Sequence, residues 1–503
     1  RHIYHKVSFN QFWSILFDHR LTYIMVNTHH HDHIIGGEGL KVVLVNPPTT
    51  ASLETVATLG LKAPPLGLAY VAAAIRKEGH NVSIIDSPAL DISHHKLGEI
   101  LQREHPDVIG VTSTTPTIYD AMKAVTIGKE FCQDSITIMG GCHITSLPED
   151  TMAECGSLNI GVIGEGEATI VDLLRALETK RPLSEVDGIV YRKDNKILRT
   201  RPRRLIENLD EIPFPARDLL PLDRYTVLGE KHRLGNILTS RGCPFRCIFC
   251  SSSQFYGRRF RARSPKNVVD EIEELMNKYK IRSFEIVDDN FTVDKKRAME
   301  IAEEIIKRGL KIWWTCGSRV DLVSRDLLEV MKRAGCGLIY YGIESGSERV
   351  LSILRKGITL EQAKSAIRWA KEVGMEVVGS FIIGVPGETK EDVMKTIRFA
   401  KESGIDFAQF TAMTPYPGTD VYELAKRGGL LTTNDWSRYT TINPVMRTKE
   451  LTVEEISHLV GLAYRKFYLS LSFIYKQLTK KRLKWIWPVI KNNLGLIMPT
   501  RGK

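Results

Sequence analysis

No stretch of about 18 apolar residues runs free of charge, so no membrane-spanning helix is expected. No secretory signal pattern stands at the start. Cysteine is scarce, eight in 503 residues, and five are scattered: Cys132, Cys142, Cys155, Cys316 and Cys336. That scatter excludes a disulfide framework and fits a reducing cytoplasm, with these five as buried, inert thiols. Acidic residues vanish near the end. From Ile456 to Lys503 there are ten Lys or Arg and no Asp or Glu, which accounts for most of the net charge of +11. Such a tail is a solvated helical face, or a surface for phosphate groups on lipids, nucleic acids or nucleotides. The first residue is Arg1, not Met, and residues 1–39 are expected to be a flexible extension, with Met25 an alternative start. The run His29-His30-His31-Asp32-His33 reads as part of it rather than as a metal site.

What is present is ordinary in bulk. Hydrophobic residues make up 43% and charged residues 26%, as in a globular protein, and 503 residues suggest two to four domains. Lys41–Asn46 is a short apolar run before Pro47-Pro48 and reads as a buried parallel strand. Further strands are expected at 82–86, 108–113, 137–139 and 159–163, with helices at 65–78, 94–104, 119–131 and 169–178. This alternation makes 40–181 a doubly wound, Rossmann-like α/β domain whose ligand sits beyond the strands' carboxyl ends. Residues 182–234 are proline-rich and aperiodic, a connector with a hairpin at 188–192 and 196–200. Six more strands follow at 236–240, 283–288, 311–316, 337–343, 376–383 and 406–412, with helices such as 265–279 and 360–374 between them. Six βα units over 235–418 fit a partial (β/α)6 barrel, with its active site at the strands' carboxyl ends. Residues 419–503 are expected to be mostly helical and basic, with a helix over 453–477.

The first barrel strand runs into TSRGCPFRCIFCSS. Cys243, Cys247 and Cys250 have C-x3-C-x2-C spacing, tight enough for one loop to wrap one cluster. Thiolates suit iron–sulfur clusters or zinc. A zinc site needs a fourth Cys or His, and nothing local supplies one. Three ligands leave one iron open. This motif resembles that of the radical S-adenosylmethionine (SAM) superfamily, and the resemblance covers about 234–418. It implies a [4Fe–4S] cluster on Cys243, Cys247 and Cys250 whose open iron is chelated by SAM. Electron transfer from an external donor of flavodoxin or ferredoxin type then yields a 5′-deoxyadenosyl radical. The resemblance also implies SAM contacts from Phe249 and from Asp289 and Asn290 after the second barrel strand. Arg319, Glu344, Ser345 and Gly384 follow the third, fourth and fifth strands. A guanidinium can meet a carboxylate there, and a carboxylate can meet ribose hydroxyls.

The amino-terminal α/β domain resembles the cobalamin-binding domain of one large subfamily of these enzymes. The matching pieces are VNPP, PPLGLAYVAAAI, GVTSTTPT, GGCHITSLPE and GEGE. The implied cobalamin contacts are Pro48, Thr112, Ser113, Thr114, Gly140, Gly141, His143, Gly164 and Glu165. The D-x-H-x-x-G motif that supplies a histidine to cobalt elsewhere is missing, so no axial residue is assigned. His143 contacts the cofactor's tail or caps the next helix.

The resemblance implies methyl transfer to an unactivated carbon of a small-molecule or lipid substrate. One SAM serves as radical source and a second remethylates cobalt. It extends to anaerobic magnesium-protoporphyrin monomethyl ester cyclases, so a cobalamin-dependent cyclase or oxidase without methyl transfer stands as the alternative. A methylthiotransferase lacking cobalamin would need a second cluster from Cys132, Cys142 and Cys155, whose spacing does not suit one. No nucleic-acid partner is expected. The expected location is cytoplasmic, and the basic tail with Trp485 and Trp487 suggests peripheral contact with the inner membrane face.

Overall fold

The computed structural model describes residues 39–49, 62–227, 230–231 and 235–479. The extension, its histidine run and the tail from 480 onward lie outside the described residues. No helix among the described residues is long and apolar enough to cross a membrane.

Strands β1 (Lys41–Asn46), β2 (Asn81–Asp86), β3 (Val108–Ser113), β4 (Ile136–Gly141) and β5 (Ile160–Val162) form a parallel sheet in the order β2-β1-β3-β4-β5. Strand β1 is apolar from Val42 to Val45 because helices cover both faces. Val42 and Leu44 pack with residues of helices Leu66–Lys77 and Gly166–Glu178. Val43 and Val45 pack on the opposite side, with residues of His94–Glu104 and Ile118–Phe131. The chain leaves β1 for one side and later returns to the other, so the switch point lies between β1 and β3. The connector's hairpin, β6 (Ile189–Lys193) and β7 (Lys196–Arg199), turns through Asp194 and Asn195 at positive φ. It does not stand alone: β6 pairs antiparallel with β5 and extends the sheet to seven strands.

Strands β8 (Thr226–Val227) and β9 (Glu230–Lys231) make a short ribbon. The barrel sheet follows: β10 (Gly235–Ile237), then β13 (Ser283–Ile286), β14 (Trp313–Ser318), β15 (Cys336–Glu344), β16 (Glu376–Ile383) and β17 (Phe407–Ala412). All six run parallel, each beside its successor. The first expected strand, 236–240, is broken. Its end leaves the barrel as β11 (Ser240–Arg241) and pairs antiparallel with β12 (Arg261–Ala262). The break is held by Asp288, which accepts hydrogen bonds from Thr239 N, Thr239 Oγ1 and Ser240 Oγ at 2.6, 2.5 and 2.6 Å.

The expected helix 453–477 is two helices, Val453–Tyr468 and Leu471–Thr479. Ser470 divides them: its hydroxyl donates to Phe467 O and accepts from Phe473 N, so it ends one helix and starts the next. The first begins with a capping box on Thr452 and Glu455. It packs on β17, where the Tyr468 hydroxyl donates to Ala408 O at 2.7 Å.

Candidate active site

The loop 242–260 joins β11 to β12 and carries Cys243, Cys247 and Cys250, all half-buried and unpaired with one another. Gly242 sits at φ 83°, where a Cβ would lie 2.3 Å from Arg259 O, so only glycine lets the loop's two ends approach. Ile248, buried between the cysteines, donates from its backbone to Leu354 O and accepts from Val421 N, which ties the loop to the barrel. Burial raises the Cys243 thiol and pushes Cys250 up to about 11, so a metal bound here would displace these protons. Among the described residues no three His, Cys, Asp or Glu side chains converge as ligands of one ion do.

The strand-end residues gather at this loop unequally. Arg319 is 5% exposed and its guanidinium lies 3.7 Å from the Phe245 ring centroid. Two of its nitrogens donate to Asp321, both at 3.0 Å, and Nη1 lies 4.0 Å from Cys247 Sγ. Asn290 is buried, and its Nδ2 has no partner among the described residues. Such an orphaned donor fits a ligand group. Asp289 is open to solvent yet ringed by protein, which raises its carboxyl above the usual range, with Asp288 adding to the shift. Glu344 stands at φ 72°, where the β15–β16 register slips. A non-glycine there is strained, and Lys356 Nζ holds its carboxylate at 2.7 Å. The same ammonium is 6.0 Å from the Phe249 ring centroid. Gly384, at φ 89°, donates its N–H to Glu388 Oε2 at 2.7 Å, and Val385 donates to the same oxygen at 3.2 Å. Burial pushes the Glu388 carboxyl up to about 8. Ser345 corrects the expectation. It is fully buried, with its hydroxyl against Thr396 and the Ser347 N–H, so its side chain shapes the turn instead of meeting SAM.

In the amino-terminal sheet, Pro48, Thr112–Thr114, Gly140–Gly141 and Gly164 stand at or just beyond the carboxyl ends of β1, β3, β4 and β5. They line one edge. Around Gly140 nothing lies within 4 Å of a would-be Cβ, while Gly141 (φ 109°) would place one 2.2 Å from Ser113 O. Thr112 is half-buried, and Thr114 is exposed with its hydroxyl 2.8 Å from Thr117 Oγ1. Ser113 is spent: its buried hydroxyl donates to Gly140 O at 2.9 Å. His143 caps no helix. Its ring is 3.3 Å from Thr115 Oγ1 and edge-on to Trp436 at 5.3 Å, and burial lowers its pKa to about 4. Glu165 is the second correction. Both its oxygens are taken, by Arg241, Arg261 and the Ile206 N–H, so it faces the barrel rather than a ligand at the edge.

That edge meets the cluster loop. Helix Cys142–Ser146, which follows β4, packs against Ser252–Phe255 within the loop. The exposed Cys142 thiol is raised by its surroundings and by the charge of Asp289. Cys132 and Cys142 lie at opposite ends of β4, about 20 Å of strand apart, so they cannot share a second cluster with Cys155. Sequence reasoning missed Lys356, Asp321, Glu388, Phe245 and Trp436. Only Glu388 carried a local signal, as the carboxylate closing GVPGE.

Two sheets, the edge of one against a three-thiol loop of the other, define the class: a cobalamin-binding fold joined to a radical SAM barrel. The Radical SAM superfamily pattern matches residues 237–400 and the B12 binding domain pattern residues 54–174. The chain is 44% identical to an uncharacterized methyltransferase of Pyrococcus horikoshii over 87% of this chain and 95% of that one. It is 32% identical to the anaerobic magnesium-protoporphyrin IX monomethyl ester cyclase of Rubrivivax gelatinosus, over 85% and 78%. Its fold matches OxsB, a cobalamin-dependent SAM radical enzyme solved with aqua-cobalamin and SAM, with TM-score 0.71, 18% identity and 91% and 72% coverage. It also matches TsrM from Kitasatospora setae, a radical SAM methyltransferase, with TM-score 0.65, 20% identity and 79% and 76% coverage. The chain belongs to the cobalamin-binding radical SAM enzyme family. It is an enzyme whose cofactors are a [4Fe–4S] cluster, SAM and cobalamin.

Proposed function

We propose that this enzyme transfers a methyl group to an unactivated carbon of a small-molecule substrate, with an external flavodoxin or ferredoxin supplying the electron. The observation that supports this reading is the meeting of the two edges, where Cys142–Ser146 packs on the loop that carries the three thiols. A methyl carrier and a radical source held at one crevice can act on one substrate. When bound, the cluster with SAM supplies a 5′-deoxyadenosyl radical, and cobalamin supplies the methyl group.

The chain's own residues divide the work. Cys243, Cys247 and Cys250 hold the cluster. Asn290 Nδ2 and the Arg319 guanidinium bind the methionine end of SAM, Glu344 takes the ribose hydroxyls, and Gly384 and Phe249 flank the adenine side. Asp289, open to the crevice beside this group, accepts from SAM or substrate. Pro48, Thr112, Thr114, Gly140, Gly141 and Gly164 receive cobalamin, and His143 supports that edge from beneath.

The test is anaerobic reconstitution with cobalamin, SAM and reductant. Methyl transfer consumes SAM in two ways and yields both 5′-deoxyadenosine and S-adenosylhomocysteine, with a product heavier by one methyl group. A cyclase or oxidase yields 5′-deoxyadenosine without S-adenosylhomocysteine, and that result replaces the methyl-transfer reading. Changing any one of the three cysteines to alanine is expected to abolish both products and most of the bound iron; iron retained at wild-type level removes the assignment.

A further inference from the structure

Arg241 and Arg261 stand directly opposite in the β11–β12 ladder, and the loop they bracket carries the three cluster cysteines. Like charges directly opposed repel, and both residues are buried, at 3% and 4% exposure. Their counter-charges come from the amino-terminal domain. Glu167 accepts from Arg241 Nη2 at 2.5 Å and from Nη1 at 3.3 Å. Glu165 accepts from Arg241 Nη1 and Arg261 Nη1 at 2.9 Å each. Two buried guanidiniums thus meet two buried carboxylates, and charge closes to zero only across the domain junction. Arg241 also lies between the rings of Tyr70 and Tyr256, 5.7 and 5.4 Å from their centroids. Tyr70 belongs to the amino-terminal domain and Tyr256 to the cluster loop. The connector joins in: Ile206 N–H donates to Glu165 at 2.8 Å, and its carbonyl accepts from Arg261 at 2.7 Å.

We propose that Glu165 and Glu167 are positioning residues for the radical reaction: they hold the neck of the cluster loop and so set where the cluster stands relative to the cobalamin edge. The second half rests on the cobalamin placement proposed above; the first half does not. Both carboxylates are taken up by the guanidiniums of Arg241 and Arg261. They act through Arg241 and Arg261, one residue beyond Gly242 at one end of the loop and just past Arg259 at the other. The loop's far part is held by the same domain, at the packing of Ser252–Phe255 on Cys142–Ser146. A loop pinned at neck and far part by the domain that carries the second cofactor cannot move independently of it.

The test uses the full chain, reconstituted anaerobically, as wild type, Glu167→Gln, Glu167→Asp and Arg241→Lys. Amide hydrogen exchange is read over 242–260 and over β16 as an internal reference. Pulsed dipolar spectroscopy reads the distance between the reduced cluster and bound cobalamin in its cobalt(II) state. Glu167→Gln is expected to speed exchange across 242–260 by about tenfold or more with β16 unchanged, and to broaden the cluster–cobalt distance distribution. Glu167→Asp, which keeps the charge, returns part of both. Exchange and distances as in wild type for Glu167→Gln overturn the proposal. If that variant does not fold, Arg241→Lys decides alone, because it keeps the buried charge and loses only the fork to Glu167 and Glu165; an unaltered loop there is equally fatal. A wild-type protein that takes up iron but no cobalamin refutes the cobalamin edge, while the exchange measurement still judges the clamp.

Discussion

Burial strips His143 of its charge. The residue is 2% exposed and its pKa is lowered to about 4 from an ordinary 6.5, with Thr115 as its hydrogen-bonding neighbour. The unfolded chain takes up a proton near 6.5, whereas the folded chain resists until about 4. Stability from this group is therefore full above 6.5 and falls as pH drops through that window, by up to about 3 kcal/mol. Between about pH 7 and pH 4.5, the melting temperature of wild type is expected to fall more steeply than that of His143→Gln. Parallel falls would show that the ring is already exposed. On the proposed cluster assignment the thiols obey the same physics with the opposite outcome, since burial that keeps Cys250 protonated alone would also shield the iron that replaces the proton.

At the scale of elements, the end of β4 shows two glycines doing different things. Gly141 is required by the backbone: its φ of 109° and the Ser113 carbonyl 2.2 Å from a would-be Cβ leave no room for a side chain. Gly141→Ala is expected to cost about 2–4 kcal/mol of stability, read by denaturant unfolding. Gly140 faces open space, so Gly140→Ala should leave the unfolding midpoint in place. If a broad ligand lies over this edge, the same methyl group weakens cobalamin binding in an absorbance titration by about tenfold. Unchanged affinity for Gly140→Ala would move cobalamin away from the β4 end. The break between β10 and β11 is also a local device: Asp288 gathers Thr239 and Ser240 and turns the chain out of the barrel to start the cluster loop.

At the scale of the whole molecule, the two sheets are joined by buried charge, not by a linker alone. A second buried group repeats the theme, where Glu271 pairs with Arg217 of the connector at 2.6 Å and with Arg263. A chain begun at Thr200 would keep the barrel but strip Arg241 and Arg261 of both carboxylates and of the domain that covers them. Two opposed guanidiniums without counter-charge, on a face that the missing domain no longer covers, are expected to make this fragment lose iron and aggregate. Co-expression with residues 39–199 should restore both solubility and iron. A fragment that binds iron stably by itself would show that the barrel organises its own cluster loop.

The sequence by itself determined the alternation of strands and helices, the two α/β units and the three closely spaced thiols proposed as cluster ligands. Each of these is written in short-range pattern: apolar spacing over one element, or three thiols within one loop. The limits of that legibility are as physical as its reach. Glu165 sits in a glycine-flanked turn after a strand, which suggests a ligand contact, yet its partners lie 76 and 96 residues away in the barrel. Ser113 and Ser345 are hydroxyls in the right motifs, but the neighbouring chain claims them first. The carboxyl-terminal Trp436 against His143 and the hairpin β6–β7 on the edge of β5 were likewise decided only in three dimensions. A short-range pattern says which residues can meet a ligand. Only tertiary structure, by bringing distant charges and donors together in a place without water, decides which of them remain free to do so.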